Sequence, residues 1–170
     1  MNIFVLDENP VKSAQAMDCV RVPKMVTESA QMMASALRRH GATDEQMPLT
    51  KAGRPYLGGY KNHPCTIWAG ETQDNFDWLA DHAYKLLCEY WDRFGKVHAC
   101  TIPIMHMYNM ELDLPEGELT PFAQAMPDEF KHEDAVQAYR AYYHSKIHSA
   151  GGVHYRHTNP PDWWMGVSLR

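Results

Sequence analysis

Apolar positions return with a helical period through most of the chain. From Val22 to Arg39, Val22, Met25, Val26, Met32, Met33, Ala36 and Leu37 fall on one face, and Arg21, Lys24, Glu28, Gln31, Ser35 and Arg38 fall on the other. Gly41 is a natural stop. A second helix is expected over 64–94, starting at Pro64 and ending at Gly95, with Trp68, Phe76, Leu79, Ala83, Leu86, Leu87, Tyr90 and Trp91 on its apolar side. Shorter helices are expected over about 10–20, after the cap signal Asn9-Pro10, and from Thr120-Pro121 to Pro127. A final helix is expected over about 133–149, stopped by Gly151-Gly152.

Between these lie less regular stretches. Residues 3–6 are a short apolar run, either a single strand or a buried extended arm. The segment 41–63, rich in Gly and Pro, reads as a long loop, and 96–119 as irregular. The tail Asn159-Pro160-Pro161-Asp162-Trp163-Trp164 is expected to dock on the body through its tryptophans. The pattern predicts an all-α fold: one compact helical domain over 1–170, of four to five helices, with a short extended N-terminal segment and an aromatic C-terminal tail.

Composition adjusts this picture only slightly. A chain of 170 residues with 45% hydrophobic and 22% charged positions can bury a core without staples. The formal net charge of −5 argues against a grip on bulk DNA but leaves room for a local basic face. Cys19, Cys65, Cys88 and Cys100 form no CxxC pair, so reduced thiols, a cytoplasmic setting and no membrane partner are expected, with no leader and no apolar span.

Three groupings carry candidate chemistry. Arg21, Lys24, Glu28 and Gln31 set two cations, a carboxylate and an amide on successive turns, able to bind an anion and supply an acid or base; a solvated Lys24–Glu28 pair is the plain alternative. Glu71, Asn75, Trp78 and His82 line another helical face, where Trp78 is placed to stack on a base or to pack in a core. Asn62 and His63 precede Pro64, so His63 either caps a helix or helps an anion bind at its N-terminus, and it would lower the pKa of the Cys65 thiol. His144 and His148 share a helix face, but nothing completes a metal site, and no cofactor is expected.

Two resemblances add to this reading. MNIFVLDENP, KNHPCTIWAG, LTPFAQAMPDEFK and AVQAYRAYYHSKIH resemble a family of small proteins common in phage genomes and scattered in bacteria, which implies a viral setting and work on nucleotides, DNA or host defence. The run Val20-Arg21-Val22-Pro23-Lys24 is similar to the charged Arg-Glu-Leu-Pro-Arg run of the pyrimidine-dimer DNA glycosylases of the endonuclease V type. Those are small, helical proteins with an aromatic tail that attack with the N-terminal amine and use a glutamate of that run. Here Arg21 stands where that glutamate would be, and Glu28 is the nearest substitute. Asn2 is too large for routine removal of Met1, so the amine would belong to Met1.

The expectation is a phage-type enzyme acting on a nucleobase or nucleotide, glycosylase-like or base-modifying. Glu28 and His63 would be catalytic, and Arg21, Lys24, Gln31, Asn62, Glu71, Asn75 and Trp78 would bind substrate. The alternative is a module without chemistry that sequesters a nucleotide or a host protein.

Overall fold

Asn9 begins the first helix as the sequence requires: its side chain accepts from Lys12 N, and Pro10 occupies the first helical position. In the computed structural model, which describes residues 1–166, this helix, α1, spans Pro10–Gln15 and is shorter than expected. α2 follows over Arg21–Arg39 with its apolar stripe fully buried.

The helix expected over 64–94 is two helices. α3 is a single short element, Pro64–Trp68, capped by His63; α4 runs over Gln73–Phe94. The break has a local cause. Thr72 is extended and its hydroxyl accepts from Asn75 N, which starts a new helix there. Gly70 packs against Ala36 of α2, where an added Cβ would meet the Ala36 methyl at 3.4 Å. Gly95, left-handed at φ 62°, ends α4. Trp91, expected on the apolar side, is instead 55% exposed.

Two further expectations are corrected. Residues expected to be irregular contain α5, Thr101–Tyr108. Residues 120–127 form no helix, and only a single 3-10 turn follows at Asp128–Phe130. Thr120 is the reason: its N–H donates to Asn75 Oδ1 and its Oγ1 lies between Asn75 Nδ2 and Glu71 Oε2, which pins the segment across the start of α4. α6 spans Ala135–His144 and continues as a 3-10 turn, Ser145–His148.

α2 and α4 pack on each other, α1 packs on α4, α3 on α2, and α5 on both long helices. The fold is all-α, with six helices and one isolated bridge, Leu49 to Pro55, among the described residues. Residues 3–6 are a buried arm without strand pairing, and Ile3, Val5 and Leu6 have no exposed surface. Trp164 of the tail is buried and stacks on His144 at 4.6 Å. The four thiols are free, and among the described residues no helix is long and apolar enough to cross a membrane.

One buried group makes the fold acid-sensitive. His82 is fully buried, with Nδ1 3.0 Å from Pro10 O and Nε2 without a hydrogen-bond partner among the described residues. Because a carbonyl accepts, Nδ1 carries the proton and Nε2 is a buried lone pair. Burial pulls the pKa down to about 4. The folded value lies below the unfolded one, so the unfolded chain takes the proton first. The stabilisation is complete above about pH 6.5 and is lost as pH falls toward 4, a loss of about 3 kcal/mol. Thermal melts from pH 7 to pH 4 should show this loss, and His82→Phe should flatten it.

Candidate active site

α2 presents Lys24 and Glu28 one turn apart, and the N-terminal arm returns to meet them. The Met1 α-amino nitrogen lies 3.6 Å from Glu28 Oε2, while Glu28 Oε1 lies 3.5 Å from Lys24 Nζ. Glu28 is only 13% exposed, and its Oε2 accepts no hydrogen bond from any of the described residues. A largely buried carboxylate oxygen without a hydrogen bond, facing an amine, is an arrangement that folded proteins seldom leave unexplained.

This pair opens into a cavity of about 320 Å³ whose walls include Phe4, Arg21, Tyr142, Lys146 and Ser149. Lys146 Nζ lies 3.7 Å from the Tyr142 ring centroid. Four cationic groups, the amine, Arg21, Lys24 and Lys146, gather here against two carboxylates, Glu28 and Asp18. A chain of net charge −5 therefore carries a locally basic cavity.

Arg21 is aimed inward. Its guanidinium donates to Asp18 Oδ2 at 2.8 Å, to Gly152 O at 2.8 Å and to Ser149 Oγ at 2.9 Å, and lies over the Tyr143 ring. Tyr143 also donates to Asp18. Arg21 thus fixes the 149–152 turn that forms one wall, and its charge is largely matched by Asp18. Lys24 is the freer cation, at 67% exposed.

The loop before α3 is clamped to the next turns of α2. Ser35 Oγ accepts from Gly59 N at 2.9 Å and donates to Gly59 O at 3.0 Å. Gly58 is left-handed, and a Cβ there would stand 2.2 Å from Ser35 Oγ. Gln31 lies against Gly59, and the exposed Asn62 follows. The clamp delivers His63 to the neighbourhood of the pair. Its pKa is lowered by burial and by the Met1 amine, with Glu28 pulling the other way. Nδ1 of His63 accepts from Cys65 N at 3.2 Å, so the neutral ring bears its proton on Nε2 and acts as a fixed donor. His63 is therefore a helix cap, and α3 has no free N-terminal site.

The Cys65 thiol does not have the lowered pKa expected beside His63. Burial pushes it up to about 11, which keeps it protonated. His144 is committed as well, with Nδ1 at 2.7 Å from Arg140 O and Nε2 accepting from Met165 N.

The second helical stripe is elsewhere. Asn75 bonds Trp68 O and Thr120, and Glu71 accepts from Thr120. Trp78 is 6% exposed, donates to Glu8 O at 2.6 Å, stacks on His82 and meets Trp68 and Phe122 in T-shaped contacts. Neither Glu71, Asn75 nor Trp78 lines the cavity beside Glu28. They tie the 115–125 segment to α4, and the Trp78 ring is buried.

Tyr142, Lys146 and Ser149 were not among the sequence candidates. One signal was present: Tyr142 and Lys146 are one turn apart on a single helical face. Nothing in the sequence joined that face to the N-terminus.

The family model for pyrimidine dimer DNA glycosylase matches residues 1–101. The chain belongs to this family. The match contains Met1, Glu28 and His63 and ends before Tyr142 and Lys146. No curated protein and no solved structure matches the chain significantly. Membership implies DNA as the substrate class, and the cavity beside Glu28 brings an amine, a carboxylate and cations to one place.

Proposed function

We propose that this member of the pyrimidine dimer DNA glycosylase family excises damaged pyrimidines with the Met1 α-amine as nucleophile and Glu28 as its acid–base partner. The observation that carries the reading is the 3.6 Å approach of that amine to a carboxylate oxygen with no hydrogen bond. An amine must shed a proton to attack, and Glu28 Oε2 is placed to take it. The amine lone pair then forms a bond to C1′ of the damaged nucleotide as the C1′–N glycosidic bond breaks, its electron pair leaving with the base. The attached nitrogen then loses a second proton, and its lone pair breaks the C1′–O4′ bond, the ring oxygen taking up a proton, to give a protonated imine between Met1 and C1′. Lys24 and Lys146 flank the cavity where backbone phosphates would lie. Arg21 holds the wall, and in this reading Gln31, Asn62 and the His63 Nε2–H, which lie outside the cavity lining, would meet the DNA beyond it.

The test is borohydride trapping. Purified protein, its N-terminus defined by intact mass, is incubated with duplex DNA carrying a pyrimidine dimer. Hydride adds to the imine carbon and leaves a stable secondary amine. A covalent protein–DNA band is expected. Binding of the same duplex with no band and no base release, beside a working control enzyme, overturns the mechanism and favours a module that only binds.

A further inference from the structure

The N-terminal amine is usable only if something holds a chain end in place, and chain ends ordinarily fray. Here the backbone turns sharply just after it. Phe4 has φ 41°, a left-handed conformation that a bulky side chain adopts only when its surroundings dictate it. Asn2 stands at the turn and is 7% exposed. Its Oδ1 accepts from Ile3 N at 2.8 Å and from Phe4 N at 2.9 Å, and its Nδ2 donates to Ala125 O at 2.9 Å. A single carboxamide therefore closes the turn and ties it to a segment 123 residues away. Phe4 is held from the other side: its ring stacks on Tyr142 at 5.9 Å and its carbonyl accepts from Ser13 Oγ at 3.1 Å.

We propose that Asn2 is the positioning residue of the site: its carboxamide sets the turn that aims the Met1 amine at Glu28. Asn2 borders the same cavity, but its carboxamide bonds Ile3 N, Phe4 N and Ala125 O, so its action on Met1 runs through the backbone of residues 1–4. The proposal rests on the amine mechanism above and adds the device that preorganises it. Nucleophile placement is a steep determinant of rate, and a displacement of about 1 Å costs on the order of 100-fold.

The test compares Asn2→Leu, which keeps the size and loses both functions of the amide, with Asn2→Asp, which keeps the acceptor for Ile3 and Phe4. Both residues are large enough to retain Met1, and intact mass verifies it. Asn2→Leu is expected to lower the single-turnover excision rate on dimer-containing duplex about 100-fold, with the dissociation constant for that duplex within about threefold of wild type. Asn2→Asp should recover at least about tenfold of the loss. A merely structural role would lower binding and rate together and would not be rescued by the acceptor alone. Asn2→Leu turning over at the wild-type rate overturns the proposal while the amine mechanism stands. If wild type excises nothing, the mechanism fails, and crystal structures of both variants still decide the role of Asn2. The amine should leave Glu28 in Asn2→Leu and stay within about 4 Å of it in Asn2→Asp, the reach of an ion pair. An amine unmoved in Asn2→Leu overturns the proposal.

Discussion

Glu28→Gln should lower the single-turnover excision rate about 1000-fold, the middle of the range for a general acid–base group, with little change in folding. Gln keeps the shape of Glu and fills the same space beside Met1. What it lacks is the ability to take the proton from the amine 3.6 Å away. The structural cost is small because Glu28 Oε2 accepts no hydrogen bond and its contacts with Met1 and Lys24 are long. A melting temperature within about 3 °C of wild type is expected, since about 1 kcal/mol moves a protein of this size by that much. Affinity for damaged duplex should hold or tighten, because a negative charge leaves a basic cavity. Rate, affinity and melting temperature measured on one preparation separate the alternatives. A full-rate variant removes Glu28 from the chemistry, and a fall of 10 °C or more, roughly 3 kcal/mol, shows it to be structural.

Glu28 was legible in the sequence because it lies on the polar side of a strongly periodic helix, one turn from Lys24. Its environment was not. A Lys–Glu pair at this spacing ordinarily faces solvent, yet Glu28 is covered by the arm that brings Met1 back across α2. That closure depends on Asn2 reaching Ala125 and on Phe4 reaching Tyr142, contacts far apart in the chain that leave no local pattern. The same distinction runs through the fold. α2 and most of α4 follow from the 3.6-residue period. α5 has apolar residues on all sides and Pro103 in its first turn, so it offered no amphipathic signal. The 120–127 segment carries a helix-start signal in Thr120-Pro121, which the bonds from Asn75 and Glu71 override. Glu71, Asn75 and Trp78 looked like a binding stripe because polar groups beside an indole fit either role; Asn75 and Trp78 are buried, and all three hold partners within the fold.

Blocking the α-amine should abolish the borohydride-trapped band and lower excision at least about 1000-fold, the scale of losing a nucleophile. A short tag ahead of Met1 converts the amine to an amide, whose lone pair is delocalised into the carbonyl and does not attack carbon. The tag must also pass through the space between Met1 and Glu28, so a protease that releases Met1 with a free amine is the necessary control, and it should restore both the band and the rate. The site contains two other primary amines, and this experiment distinguishes them. Lys146 Nζ is held over the Tyr142 ring at 3.7 Å and Lys24 Nζ lies 3.5 Å from Glu28 Oε1, so either could reach an aldehyde carbon once the sugar opens. Neither lies against the orphan oxygen Oε2, which faces Met1. If the tagged protein still traps DNA at the wild-type level, the nucleophile is one of these lysines. Lys24→Arg and Lys146→Arg, which keep the charge and remove the primary amine, would then show which one.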